Sequence, residues 1–200
     1  DEEGNTITDP EGILSRIFSE FAPQTIKNLE ISKTERDLNI ITLATEAVKR
    51  FAREFGRTDF TDLTTDHIHF LKEGGVKEYT KGRLGIGSHS SVVGEVLIER
   101  REDLETAITT FHELWHALAS YQAIQITTGN KLDWYRSGFD IKSRDGKERY
   151  FYRIDEGLTG IATKRFLEEV LSQDLTFQEE IKKRMEEGVE INTTGAAEVS

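Results

Sequence analysis

The segment Thr110–Leu118, with the sequence TFHELWHAL, decides how this chain of 200 residues is interpreted. It contains the pattern H-E-x-x-H, in which His112 and His116 are four residues apart and Glu113 follows the first histidine. Apolar residues recur around this pattern at intervals of three and four, which predicts a helix over residues 104–124. Four residues make about one helical turn, so both imidazoles project from the same side, opposite the apolar stripe.

The two histidines and the glutamate are suited to metal chemistry. Two imidazole nitrogens about one turn apart can bind one tetrahedral zinc ion. Glu113 can reach a water molecule on the metal and take its proton. The alternative interpretation is an ordinary solvated helix face, but the apolar stripe on the other side favours the metal site. The same ligand types also suit cobalt or nickel.

A catalytic zinc site needs a third protein ligand, and a later segment offers one. No histidine follows His116, whereas Glu156 lies at the start of a helix predicted over residues 155–172. The residues three, four and seven positions after Glu156 are small enough to let another helix approach: Thr159, Gly160 and Thr163. Asp155 competes for the role, but helical geometry predicts that it points to another face as a helix cap or first-turn acid. Glu156 itself could be a glutamate that only complements the helix dipole.

The two segments together resemble a known family. Thr110–Leu118 followed by Asp155–Thr159 looks like the gluzincin metallopeptidases, in which a glutamate helix follows the H-E-x-x-H helix. The compact span is similar to the minigluzincins. The resemblance covers roughly residues 66–170, and it includes the apolar segments that look like the strands preceding the active-site helix there: Ile68–Leu71, Gly85–Ile86 and Gly94–Ile98.

The resemblance implies a zincin fold, one Zn²⁺ per chain and zinc-dependent hydrolysis of a peptide or protein substrate. It assigns His112, His116 and Glu156 as zinc ligands and Glu113 as the general base and acid. One position departs from the pattern. Thermolysin-like members often carry an aspartate four residues after the ligand glutamate, where it supports a histidine. That residue here is Gly160, so the support must come from elsewhere.

The expected mechanism also requires a donor that stabilises the oxyanion. Tyr135, which lies between the two ligand helices, is our first candidate for this catalytic role. The other candidates are Tyr150, Tyr152, Arg153 and His89. A strand predicted at Val92–Ile98 has one polar face, which suits either a sheet edge or a strand covered on one face only. At an edge, an extended peptide could pair with it.

The rest of the chain predicts one α+β domain over residues 1–200, with a small mixed sheet and flexible tails at 1–9 and 190–200, and the resemblance implies that this domain is zincin-like. A backing helix is expected over 35–55, capped by Thr34 and Asp37. Further helices are expected over 11–21 and 177–187, and a hairpin over 139–152 that turns at Asp145-Gly146.

Composition excludes several classes of function. The net charge of −11 argues against nucleic acid and against an anionic membrane surface as partners. No apolar run approaches the roughly 20 residues of a membrane helix. The absence of cysteine excludes disulfides, thiolate zinc sites and a cysteine nucleophile. We expect a cytoplasmic location, with secretion as the alternative if a leader has been removed. The competing hypothesis for function is a zincin-fold binding module whose metal is structural or latent.

Overall fold

The computed structural model describes residues 24–60, 63–82, 85–90, 94–127, 131–143 and 145–193. The fold is α+β, as predicted, with two small sheets. The helices are α1 (Gln24–Lys27), α2 (Glu35–Glu54), α3 (Gly75–Tyr79), α4 (Asp103–Leu114), α5 (Tyr152–Glu169) and α6 (Leu175–Glu186). Short helical turns lie at Thr65–His67, Trp115–Ala119 and Leu171–Gln173. The strands are β1 (Ile68–Leu71), β2 (Gly87–Ser90), β3 (Glu95–Glu99), β4 (Gln122–Thr127), β5 (Lys131–Ser137), β6 (Asp140–Lys142) and β7 (Arg149–Tyr150).

Helix α2 begins with the predicted capping box, in which the side chains of Thr34 and Asp37 each accept a hydrogen bond from the other's backbone N–H. Its buried face includes Ile41, Val48 and Ala52, whereas Leu38 and, just after the helix, Phe55 are exposed. The helix packs on α4 through aromatic rings. Phe111 of α4 meets Phe51 edge-on, with ring centroids 6.0 Å apart, and stacks on Phe166 of α5 at 4.4 Å. These contacts fix the three helices around one core.

The first sheet has the strand order β1-β3-β2, with β3 parallel to β1 and antiparallel to β2. The prediction that the strand around Val92–Ile98 lies at an edge is therefore wrong, because β3 is central. The polar side chains that suggested an edge have partners instead. Glu95 contacts His69, and Glu99 accepts a hydrogen bond from the backbone of Gly74. Both faces of the strand are covered.

The second sheet is antiparallel, in the order β4-β5-β6-β7. It includes the predicted hairpin, since β6 and β7 flank the turn at Asp145-Gly146. Strand β4, however, occupies residues 122–127, where the continuation of a helix was predicted. Helix α4, which carries the H-E-x-x-H motif, instead ends in a π-helical turn, Trp115–Ala119. The sheet thus begins three residues after that turn.

The ends of the chain add two observations. The predicted helix over 11–21 and residues 1–9 lie outside the described residues, as do residues 194–200. Ile191, within the segment predicted as a tail, packs against the core. Among the described helices, none combines the length and apolar character needed to cross a bilayer.

Candidate metal centre

The two histidines of the H-E-x-x-H motif lie side by side at the end of α4. His112 is in the last turn of the helix, and His116 is in the π-helical turn that follows. Their Nε2 atoms are 3.3 Å apart, and both residues are buried. The predicted pair of imidazoles on one side is therefore formed, although the helix is not regular across it.

Glu156 reaches the same point from the first turns of α5. One carboxylate oxygen lies 3.3 Å from Nε2 of His112, and the other lies 3.6 Å from Nε2 of His116. One ligand atom from each of the three residues lies within 4.8 Å of the others. Burial alone would raise the pKa of Glu156, but the hydrogen bond to His112 and the charges of both histidines lower it below its usual value. The carboxylate is thus held ionised and facing the imidazoles.

Asp155 does not point away from the histidines, so that prediction is wrong. Its Oδ2 lies 3.3 Å from Nδ1 of His116, and its Oδ1 accepts a hydrogen bond of 2.8 Å from the backbone N–H of Phe139. Burial opposes protonation of His116, but the bond to Asp155 and the charges of Glu113 and Glu156 outweigh it and raise the pKa of His116. Asp155 therefore supplies the support that Gly160 cannot.

Glu113 lies beside the three ligand side chains, beneath β2. Burial raises its pKa, and the charge of Glu156 adds to this, while the two histidines oppose it. A methyl group on Gly87 of β2 would lie 2.5 Å from Oε1 of Glu113 and 2.7 Å from Cγ2 of Thr109. The absence of a side chain at Gly87 is what lets the edge strand approach the glutamate. Sequence reasoning did not identify this glycine.

Two further side chains surround the cluster. His89 lies two residues along β2 from Gly87 and therefore on the same face, toward α4. Desolvation, with a smaller effect from the charge of His116, lowers the pKa of His89 to about 3. Tyr152 opens α5, and its pKa is raised by burial and by the nearby charges of Glu156 and Glu113. Tyr135, our first oxyanion candidate, lies on β5 and is 43% exposed. Its assignment stays a prediction.

The two histidines differ in how their second nitrogen is held. Nδ1 of His116 faces Asp155, whereas Nδ1 of His112 is buried and has no hydrogen-bond partner among the described residues. Metal-ligating histidines usually donate a hydrogen bond through the nitrogen that does not bind the metal. Among the described residues, therefore, a side chain orients the ring of His116 through Nδ1, and none orients the ring of His112 in this way.

Comparison with known proteins does not add to these observations. No protein-family model, no curated protein and no solved structure gives a significant match to the chain. The resemblance to the gluzincins therefore rests on the quoted motifs alone.

Proposed function

We propose that the protein is a zinc-dependent peptidase in which His112, His116 and Glu156 bind one Zn²⁺ ion and Glu113 is the general base. The observation that carries the proposal is the convergence of three ligand atoms within 4.8 Å. Two imidazoles and one carboxylate form a donor set that suits zinc or a neighbouring transition metal better than magnesium or calcium. Three protein ligands are also the number that a catalytic, rather than a structural, zinc site uses.

The chemistry divides between the metal and the side chains of this chain. A divalent cation in the site would supply a Lewis acid that polarises a carbonyl and acidifies a water molecule. Glu113 would accept the proton of the attacking water as the water oxygen adds to the carbonyl carbon, and would return the proton to the amine nitrogen as the C–N bond breaks. Its raised pKa favours both transfers, because a base is most effective when its pKa is near the working pH. Asp155 holds the ring of His116 in place through Nδ1.

A peptide is the proposed substrate because of the strand beside Glu113. The far side of β1 is bonded to the segment before α2, through the backbone pairs Ile31–Phe70 and Leu29–Lys72. In the described part of the first sheet, β2 is then the outer strand without a neighbour on its far side. An extended peptide could add to β2 and pass its carbonyl groups over Glu113. We expected the strand around Val92–Ile98 to pair with a peptide. Because β3 is central, we now propose β2 for this role.

The test compares metal content and turnover in matched variants. Glu113→Gln should keep the zinc and lose about 10²- to 10⁴-fold of the rate of cleavage of an unfolded protein substrate. Glu105→Gln, which removes a half-buried carboxylate on the same helix that pairs with Arg101, is the control and should keep full activity. His116→Ala and Glu156→Gln should lose the metal, as measured by elemental analysis. Activity in the original protein should disappear with a chelator and return with zinc.

One observation favours the alternative of a binding module with a structural metal. His112 lacks a partner for its buried Nδ1 among the described residues, so one ligand is less firmly oriented than in an optimised catalytic site. Zinc bound at one ion per chain without any chelator-sensitive cleavage would support this alternative. Cleavage by Glu113→Gln at the original rate would refute the role of the glutamate.

A further inference from the structure

A groove of about 690 Å³ lies next to the metal centre and is not part of it. Four parts of the fold line it: the end of α2 with the loop after it, the π-helical turn, the β5–β6 turn and α5. Glu113 and the three metal-ligand residues are not in its walls, whereas Asp155 is. The volume falls in the range of roughly 300–1,000 Å³ that is typical of small-ligand sites.

The walls of this groove expose large apolar side chains. Phe55 is 79% exposed and Ile161 is 68% exposed, although both lie next to the aromatic core. Three more exposed apolar residues line the same groove: Tyr121, Phe139 and Leu158. Scattered exposed apolar residues are ordinary, but a cluster of them around a concavity marks a binding surface. An apolar ligand in the groove would therefore remove these side chains from water, which favours its binding.

One arginine in the groove has no carboxylate partner in the part of the chain that the structure describes. Arg136 donates a hydrogen bond of 2.7 Å from Nε to the carbonyl of Gly138, and its guanidinium lies 5.6 Å from the ring centroid of Tyr121. The two other arginines in the walls are paired: Arg57 with Asp59, and Arg165 with two glutamates. Arg136 pairs with no carboxylate among the described residues. Its terminal nitrogens can therefore bind an anion in the forked geometry that suits a carboxylate.

We propose that this groove binds an amphiphilic monocarboxylate of the medium-chain fatty acid class, with its chain on the apolar walls and its carboxylate on Arg136. One free guanidinium balances one negative charge. The carboxylate of Asp155 in the wall and the chain's net charge of −11 disfavour a polyanion such as a phosphate ester. The proposal does not rest on the proposed peptidase function, because the ligand contacts neither Glu113 nor the metal ligands.

The experiment is calorimetric titration of the full chain with decanoate, below the concentration at which it forms micelles, and with decanol. Decanoate should bind at one site per chain. Arg136→Met should weaken decanoate binding about tenfold, which corresponds to one charge-assisted hydrogen bond, and leave decanol binding unchanged. Arg184→Met, which removes an arginine of α6 outside the groove, is the control and should bind decanoate normally.

A second variant keeps the test decisive if Arg136→Met does not fold. Ile161→Gln changes a side chain that is 68% exposed, so the fold should tolerate it, and it should weaken the binding of decanoate and decanol alike. Absence of saturable decanoate binding to the original protein would overturn the proposal. So would equal binding by Arg136→Met, or self-association of the chain that depends on Ile161 and excludes decanoate.

Discussion

Asp155 and Glu156 are neighbours in the sequence, yet they meet the ring of His116 at different nitrogens. Consecutive residues of a helix differ by about 100° in direction, so both side chains can border the same facing helix. Asp155 lies 3.3 Å from Nδ1 and Glu156 lies 3.6 Å from Nε2. The first contact fixes the ring, and the second leaves Nε2 and the carboxylate facing a common point. One dipeptide thus supplies both a ligand and its support.

We expect Asp155→Asn to weaken zinc binding by about 10- to 100-fold while the protein remains folded. The amide can still accept the hydrogen bond from Phe139, but it cannot replace the carboxylate opposite Nδ1 of His116. Competition with a chromogenic chelator measures the affinity. Asp145→Asn, at an exposed turn, is the control and should bind zinc like the original protein. An unchanged affinity in Asp155→Asn would show that the contact does not orient the histidine.

The three candidate ligand residues could be predicted from the sequence, whereas the side chain that supports His116 could not. His112 and His116 are related by helical spacing, and Glu156 is recognisable from the small residues that follow it, so local patterns suffice. The role of Asp155 depends on the backbone of Phe139, which comes from the turn between β5 and β6. A contact between a helix and a turn of another sheet leaves no periodic signal. Because position 160 is a glycine, we expected the support for the histidine to come from elsewhere, and the structure places it at Asp155, one residue before Glu156.

At the scale of elements, the approach of β2 to α4 determines the shape of the centre. Glycine at position 87 lets the strand backbone lie against Glu113 and Thr109. The same spacing brings His89 over the end of the helix, on the face that Gly87 shares. The strand was not predicted at residues 87–90, because Gly-Ser-His-Ser carries none of the apolar or β-branched residues that mark a strand. Its partner β3 and the helix below determine its conformation.

Gly87→Ala should reduce the proposed peptidase activity strongly, because the new methyl group and Glu113 cannot both keep their positions. Zinc content should remain near one ion per chain, since Gly87 contacts the base and not the ligands. Gly94→Ala is unsuitable as a control because that residue has a positive φ, so Ser88→Ala on the other face of β2 serves instead. Kinetics and elemental analysis on the same samples separate the two effects. Full activity in Gly87→Ala would mean that Glu113 need not occupy this position.

The end of α4 shows why the helix predicted over residues 104–124 was drawn too long. The pattern of residues 104–124 contains no glycine or proline that would end a helix before residue 122. In the structure, the side chain of Gln122 donates hydrogen bonds to the backbone carbonyl of His116 and to the hydroxyl of Ser137. The first bond satisfies a carbonyl that the helix leaves unpaired. Gln122 can make this bond only when β4 is paired in the second sheet. The end of the helix is therefore set by a tertiary contact and not by its local sequence.

At the scale of the whole molecule, one charged network links α2, the start of α4 and α6. Asp103 accepts a hydrogen bond of 2.7 Å from Arg36 and pairs with Arg100, which in turn contacts the buried Asp37 at 2.7 Å. Arg36 also bonds Thr176 at the start of α6. Asp103 is the first residue of α4, and its carboxylate is engaged by the two arginines. These pairs hold the helices around the core at the end of the molecule where α2, α4 and α6 begin.

Asp103→Asn should lower the free energy of unfolding by about 0.5–1 kcal/mol at pH 7, the upper part of the range for partly exposed ion pairs. Burial raises the pKa of Asp103, but the bonds to Arg36 and Arg100 outweigh this and lower it. A carboxylate whose pKa is lower in the folded state stabilises the fold above its unfolded pKa of about 3.9, and loses that effect as the pH falls through the folded value.

The difference between Asp103→Asn and the original protein should therefore shrink as the pH falls below about 4, as measured by urea unfolding at a series of pH values. Glu168→Gln, which removes an exposed ion pair with Lys164, is the control and should cost little at any pH. If Asp103→Asn has a lower free energy of unfolding than the original protein at low pH as well, the aspartate contributes through its shape and not through its charge.

The hydrogen bond from Phe139 to Asp155 also makes one amide a sensor of the metal centre. The carboxylate that accepts this hydrogen bond lies, through its other oxygen, 3.3 Å from Nδ1 of His116, which we propose as a zinc ligand. An ion that restrains the imidazole of His116 would also restrict the motion of Asp155. The turn that joins β5 to β6 would then become less mobile, because Phe139 is bonded to that aspartate. Exchange of the Phe139 amide hydrogen with deuterated solvent should then slow when zinc is added. This amide would report whether zinc is bound, although Phe139 is not itself a proposed ligand.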